Sequence, residues 1–290
     1  MAKIFIDAYS DMLIDEANAN NIILAPNKIK IGRKTINFCD YSKLDYTIEE
    51  LRQLITEGKF QIIPLTMQEW LDFFRPYLEN GEDIVFFTIS QKFMSDGGAD
   101  LRSAFTKLSV DFPNNKCYLV DTNTVSRGTS EMALIASTIH KSESDIQSVV
   151  EYVNDKLIGN YVSAFVIDNV KSIQYSPILK NVVQNFVGGS VGMKPIICID
   201  RKGNLRILDS SKGFKSTVTK LYNVVADNGE NIADYTFTVI NFDAKIDADK
   251  LYNQFASQVE NNEIRNLQMS LNNAIVLGGR SVGITFHSKK

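Results

Sequence analysis

The chain reads as an α/β protein: a Rossmann-like βα first half built on a parallel sheet, followed by a mixed α+β second half. Two observations carry this reading. Strand and helix patterns alternate from the first residues to about residue 158, and beyond Gly159-Asn160 the strand candidates come as paired neighbours, which implies an antiparallel sheet. The expected domains are therefore 1–158 and 159–290.

Lys3 to Asp7 is a β-branched and aromatic run that ends in a polar turn, Asp7-Ala8-Tyr9-Ser10-Asp11, after which Met12 to Ala19 has a helical pattern. Thr47-Ile48-Glu49-Glu50 and Thr66-Met67-Gln68-Glu69 each place a hydroxyl at N-cap and a Glu at N3, the spacing of a capping box. The second of these helices carries Trp70, Phe73, Phe74 and Tyr77 and stops near Asn80-Gly81. Asp83 to Ile89 reads as a buried strand that empties into a turn rich in hydroxyls and glycines, Ser90 to Gly98. Lys116 to Val120 is the next strand, with helices expected over Gly128 to His140 and Ser142 to Leu157. In the second half the strand candidates are Tyr161 to Ile167, Pro195 to Ile199, Asn204 to Leu208, Tyr235 to Asn241 and Ile275 to Phe286. Lys202-Gly203-Asn204 reads as a hairpin turn.

Composition narrows the function classes. Six prolines and 44 % hydrophobic residues in 290 predict ordered structure throughout. The formal charge of −3 comes from interspersed acids and bases, with no basic run to track a phosphate backbone, so nucleic acid is not an expected partner. Asp7 interrupts the N-terminal apolar run too early for a signal-peptide core, and no run approaches a membrane span, so a cytoplasmic protein without an integral membrane segment is expected. Cys39, Cys117 and Cys198 lack CxxC spacing and read as reduced cysteines. With His140 and His287 as the only histidines, no metal and no cofactor are expected.

If the first sheet is parallel, three turns converge at its carboxyl edge: Asp7 to Asp11, Ser90 to Gly98 and Asp121 to Gly128. Such turn residues are most often helix caps, but the carboxyl edge is also where α/β sheets bind oxyanions. Ser95 stands out because Gly97-Gly98 beside it lets a ligand approach the backbone. Gly188-Gly189-Ser190-Val191-Gly192-Met193-Lys194-Pro195 departs from a Walker loop, with Met before Lys and Pro after it. Gly278-Gly279-Arg280-Ser281-Val282-Gly283 and that first cluster have close backbone packing as their structural alternative. Ser90, Ser95 and Ser126 are candidate nucleophiles without a histidine base, and Asp7, Asp11 and Asp209 near Lys212 are candidate acid–base groups.

The order of motifs is more informative than any one of them. Ile6-Asp7-Ala8-Tyr9-Ser10-Asp11 is followed by Thr88-Ile89-Ser90 through Met94-Ser95-Asp96-Gly97. Then come Leu119-Val120-Asp121-Thr122 through Ser126-Arg127-Gly128, Met193-Lys194-Pro195-Ile196, and Gly278-Gly279 through Gly283. This order resembles the DegV family of bacterial fatty-acid-binding proteins over nearly the whole chain. The resemblance implies a carrier and not a catalyst. Such a carrier encloses one long-chain fatty acid in an apolar tunnel, to which residues 159–290 contribute, and presents the carboxylate to a separate fatty acid kinase.

Carried over by position, Ser95 matches the family's carboxylate-binding serine, with Ser90 and Gly97 in the same turn. Ile62 stands where the family has a carboxylate-binding threonine, and Thr66 keeps the helix-capping end of that motif. Asp96 follows Ser95 and would repel a carboxylate. Ser172 to Pro177 replaces a lysine-glycine-glycine-arginine element, Lys212 aligns with a later family arginine, and Val276 stands for a histidine. Gly278, Gly279 and Arg280 occupy the family's glycine-proline-glycine stretch, where Arg280 would restore positive charge. The alternatives are a divergent module for another small anion or amphiphile, a small hydrolase or transferase dependent on Asp7 or Asp121, and a remnant whose tunnel is filled by Phe93 or Met94.

Overall fold

The computed structural model describes residues 2–38, 44–94, 98–142, 145–170, 179, 192–226, 232–260 and 263–289. In chain order its elements begin with β1 (Ala2–Ile6), α1 (Ile14–Ala19), β2 (Ile22–Leu24), β3 (Asn27–Ile31) and β4 (Lys34–Phe38). Next come α2 (Ile48–Thr56), β5 (Phe60–Ile63), α3 (Met67–Glu79), β6 (Asp83–Thr88), α4 (Ala99–Asp111), β7 (Cys117–Asp121), α5 (Arg127–Lys141) and α6 (Ile146–Tyr152). The second half contains β8 (Tyr161–Val166), β9 (Met193–Ile199), β10 (Leu205–Lys212), α7 (Phe214–Ala226), β11 (Tyr235–Phe242), α8 (Lys245–Ala256), β12 (Ile264–Gln268), α9 (Leu271–Leu277) and β13 (Ser281–Ser288). Two compact units result: Met1–Asp40 with Ile62–Ile158, and Tyr41–Gln61 with Gly159–Lys290. The segment Tyr41–Gln61 is the part of this division that a linear boundary at residue 158 leaves out.

The first unit is organised by a parallel sheet of order β2-β1-β6-β7. From β1 the chain moves to β2 on one side, and later from β6 to β7 on the other. The loops after β1 and β6 therefore leave from adjacent strands at the topological switch point, where such sheets open a crevice. Both capping boxes form as spaced: Thr47 accepts from Glu50 N–H and Thr66 from Glu69 N–H, with each Glu reaching back. On α3 the residues Trp70, Leu71, Phe74 and Leu78 recur at helical spacing and are buried. They pack with Phe5, Phe86 and Phe105, the Phe5 and Phe74 rings meeting edge to face at 5.1 Å. Each such ring contributes about 1.5–3 kcal/mol by leaving water.

The second unit carries a mixed sheet of order β10-β9-β8-β13-β11-β12, in which β11 and β12 are parallel and the other pairs antiparallel. The Lys202-Gly203-Asn204 hairpin joins β9 to β10, with Gly203 at φ +71°. The parallel β11–β12 pair corrects the expectation of antiparallel pairing, and the crossover helix α8 between its strands makes the parallel pair possible. Ile275 to Phe286 is also corrected: its first residues close α9, which Ser270 caps and Gly278 ends in the left-handed conformation, and only Ser281 onward is strand. The apolar triplet Ile275-Val276-Leu277 suits a strand as well as a buried helix end, which hid the helix–turn–strand transition. The helix expected from Ser142 instead starts at Ile146, capped by Asp145, and ends in a π turn over Val153–Leu157.

Candidate functional site

At the carboxyl edge of the parallel sheet, the three turns singled out in the sequence are tied to one another by buried polar groups. The Thr88 hydroxyl, at the end of β6, donates to Asp7 Oδ2 at 3.1 Å, and Asp7 Oδ1 accepts from Tyr9 N–H at 2.8 Å. Ser90 N–H donates to the Thr124 carbonyl at 2.7 Å, and Gln91 N–H to Asp121 Oδ2 at 3.3 Å, so the loops after β6 and β7 are locked together. The Ser126 hydroxyl donates to Asp11, joining the loops after β7 and β1. Further along α5, Ser130 Oγ donates to the Ser10 carbonyl at 2.7 Å. Asp7, Ser10, Asp11, Thr88, Ser90, Thr122, Thr124 and Ser126 are all buried.

Burial pushes the Asp7 carboxyl up to about 6, against the opposing hydrogen bonds from Tyr9 N–H, the Thr88 hydroxyl and Ile89 N–H. The Tyr9 phenol is raised as well, by burial and then by the Asp7 charge. Beneath the turns lies Arg127, with no exposed side-chain surface, held by Glu16 through a bidentate pair at 2.6 and 2.9 Å and by the Asp11 carbonyl at 3.2 Å. Burial works against its charge, but the Glu16 hydrogen bonds and charge, with Glu131 and Asp11, raise its pKa overall.

The turn into α5 is strained. Ser126 sits at φ 56°, ψ −136°, a region rarely used by residues with side chains, and Asp11 at φ 57° and Asn123 at φ 54° are also left-handed. Three non-glycine residues in such conformations, all at the carboxyl edge, are held there by the hydrogen bonds among the turns. Gly128 is required by close approach: a Cβ there would lie 2.7 Å from Thr124 Cγ2 and 2.8 Å from Thr124 Oγ1.

The sequence-derived residues separate into two groups. In the first unit, Ser90 lies in the locked turns. Ile62 is a half-buried residue of β5, and the Thr66 hydroxyl is engaged with Glu69 in the α3 capping box. Ser95 and Gly97, with Asp96, lie outside the described residues, as do Cys39, Ser172 to Pro177 and Gly188 to Val191. Met94 packs against the aromatic core of the first unit.

In the second unit Lys212 and Arg280 line one cavity of about 630 Å³ with Phe214, Lys215, Ser216 and Thr219. Arg280 Nη2 lies 2.5 Å from Oδ2 of the buried Asp247, and its guanidinium stacks 4.4 Å over the Phe214 ring, so its charge is balanced locally. Gly278 and Gly279 serve packing: a Cβ on Gly278 would meet Asn169 N at 2.4 Å, and one on Gly279 the Arg52 carbonyl at 3.1 Å.

Thr124, Arg127 with Glu16, and the Ser126–Asp11 contact were not picked out as site features from the sequence. The strain at Ser126 has a local signal in hindsight, Thr124-Val125-Ser126-Arg127-Gly128, a small residue on each side of a serine between strand and helix. The Arg127–Glu16 pair, 111 residues apart, has none. Among the described residues no cluster of three or more His, Cys, Asp or Glu is placed to hold a metal ion, and no helix is long and apolar enough to cross a membrane.

Residues 1–289 match the family model described as "Uncharacterised protein, DegV family". Among solved structures, a DegV lipid-binding protein from Thermotoga maritima superposes with a TM-score of 0.82 at 16 % identity, covering 100 % of this chain and 99 % of that one. A DegV family protein from Thermus thermophilus, described by its fatty acid binding, gives 0.80 at 17 % identity, with 99 % of each chain covered. DegV from Bacillus subtilis, described as a fatty-acid-binding protein, gives 0.78 at 14 % identity, again over 99 % of each chain. A comparison with curated proteins found no match.

Proposed function

The chain belongs to the DegV family, and we propose that it is a carrier that binds a long-chain fatty acid, or an amphiphile of similar shape, without metal or nucleotide. The observation that carries this reading is the family match over residues 1–289, together with solved structures of the same fold whose descriptions name lipid or fatty acid binding. The chemistry of the first unit is compatible with it. A set of buried hydroxyls sits at the switch point of a parallel sheet, suited to orienting a small polar head, while burial of an acyl chain supplies about 0.8 kcal/mol per methylene.

In this reading residues 159–290 contribute to the tunnel, Ser95 and Ser90 lie at the head-group end, and the exposed carboxylate is handed to a fatty acid kinase in the cytoplasm. The protein acts as carrier and not as catalyst. The test is mass spectrometry of an organic extract of the purified protein, with calorimetry on the delipidated form. A stoichiometric fatty acid in the extract supports the reading. An empty extract together with no heat of binding for oleic acid refutes it.

A further inference from the structure

The parallel pair β11–β12 gives the second unit a carboxyl edge of its own, and a cavity of about 540 Å³ opens there, lined wholly by residues of that unit. Strand ends with a crossover helix starting beside them form the crevice in which α/β sheets place ligands. The volume falls within the roughly 300–1,000 Å³ of small-molecule sites. The polar wall consists of three side-chain amides, Asn241 from β11 and Asn266 and Gln268 from β12, and they hold hydrogen-bonding capacity in reserve. Asn266 Nδ2 donates to Asp249 at 2.7 Å, but its Oδ1 is buried and makes no hydrogen bond among the described residues. Asn241 Nδ2 reaches only the Leu267 carbonyl, at 3.5 Å, and the Gln268 side chain makes no hydrogen bond among the described residues. The apolar wall includes Ile48 of α2 and Ile246 of α8, 38 % and 73 % exposed, two branched alkyl groups left to water at one cavity. The charges around it are matched within the chain: Asp243 with Arg52, Asp247 with Arg280 at 2.5 Å, and Lys245 with Asp249 at 2.8 Å. An ion finds no uncompensated charge here, whereas a group that both donates and accepts finds three amides of matching kind.

We propose that this cavity is a second binding site, for a neutral molecule that carries a peptide-type amide beside an aliphatic group. Gln268 and the Asn241 and Asn266 amides bind the amide of the ligand, and Ile246 and Ile48 cover its aliphatic part. A ligand amide offers a carbonyl to Gln268 Nε2 and an N–H to the amide oxygens, and the isoleucines leave water against an alkyl group. The inference does not depend on the carrier reading, and it uses none of the hydroxyl-rich turns of the first unit.

The test is an NMR titration of isotope-labelled, delipidated protein with N-acetyl-leucinamide, read at the Asn and Gln side-chain amides and at the α8 backbone, with and without one equivalent of oleic acid. For so small a ligand a dissociation constant on the order of 1 mM is expected. N-acetyl-leucine, which exchanges the terminal amide for a carboxylate, should bind about tenfold more weakly, because it loses the N–H and brings a charge with no partner. Gln268→Met removes the side-chain amide at nearly constant length, and Ile246→Ser removes a mostly exposed alkyl group. Each should weaken binding about 3- to 10-fold while the urea midpoint stays at the wild-type value. A capped alanine-leucine-alanine peptide distinguishes the two sources of such an amide: binding as tight as that of the single residue supports a site for a segment of another chain, and weaker binding supports a site for the free small molecule. The proposal is overturned if the Asn266 and Gln268 side chains do not shift with probe up to about 50 mM. It is equally overturned by equal affinity for the amide and the acid, or by unchanged affinity in both variants. Displacement of the probe by oleic acid overturns it as well, since the cavity then belongs to the carried amphiphile.

Discussion

The buried Arg127–Glu16 pair makes a sharp prediction because its two partners are unequally buried. Arg127 has no exposed side-chain surface, whereas Glu16 retains 19 %. Removing one member of a buried pair costs about 3–5 kcal/mol, chiefly because the other is left charged and dry. Glu16→Ala strands a guanidinium that cannot reach water and removes both of its carboxylate hydrogen bonds, leaving the Asp11 carbonyl at 3.2 Å and the charges of Glu131 and Asp11 as weaker support, so a loss of about 3–5 kcal/mol is expected. Arg127→Met strands a carboxylate that can swing toward solvent on the short helix α1, so its loss should fall to about 2–3 kcal/mol. The double variant should be more stable than Glu16→Ala alone, since it removes the uncompensated charge.

Trp70 is the only tryptophan and belongs to the first unit, so urea unfolding followed by its fluorescence reads this unit by itself. With a slope of about 1–3 kcal/mol per molar urea, a 3 kcal/mol loss moves the midpoint by about 1–3 M. Single variants both within about 1 kcal/mol of wild type would refute the reasoning. So would a double variant whose loss equals the sum of the two.

The Asp7 carboxyl, at about 6 in the folded protein against about 3.9 unfolded, contributes stability that is full below pH 3.9 and lost as pH rises through 6, about 3 kcal/mol in all. Asp7→Asn should abolish that loss, so a wild-type minus variant stability difference that stays flat between pH 4 and pH 7 would contradict it. Gly128→Ala places a Cβ against the stiff Thr124 side chain and should cost about 1–2 kcal/mol after the gain in helix propensity; adding Thr124→Ser, which deletes the 2.7 Å contact, should recover part of that loss in the urea assay. Gly278→Ala combines φ +114° with a 2.4 Å approach to Asn169 N and should destabilise the second unit by more than 3 kcal/mol, read by the far-ultraviolet melting curve. Burial pushes the Cys117 thiol up to about 11 and the Cys198 thiol to about 12, so in a Cys39→Ala background the native protein should react with Ellman's reagent at pH 8 far more slowly than the urea-unfolded chain.

What the sequence revealed were features whose cause lies within a few residues. The capping boxes at Thr47 and Thr66 are set by one hydroxyl and one Glu three positions apart, and both form. The strand ending at Thr88 and the hairpin at Gly203 are equally local. The parallel β11–β12 pair was missed because Ile264 to Gln268 is not among the strand candidates, and because strand direction depends on the helix between the strands, where charged and amide residues make up half of Lys245 to Ala256. Ile275 was misplaced for the opposite reason, since the apolar triplet Ile275-Val276-Leu277 fits a buried helix and a strand alike.

The candidate site divides along the same line. That three turns would meet at one edge followed from a parallel sheet, but what each hydroxyl would do there did not. Ser126 faces Asp11, 115 residues away, and is thereby lost as a helix cap; the Thr124 hydroxyl, two residues earlier, has no hydrogen-bond partner among the described residues. Neither fact is written in the local sequence, because both depend on which strand lies next to which. A side chain that would ordinarily cap a helix is used to join two loops, at the cost of backbone strain at Ser126 and an uncapped, buried helix start. Local rules fail here in a cluster: three left-handed non-glycine residues, two hydroxyls with no hydrogen-bond partner among the described residues, and a carboxyl raised to about 6 at one sheet edge. Departures of that kind concentrate where a protein keeps groups ready for something other than its own stability.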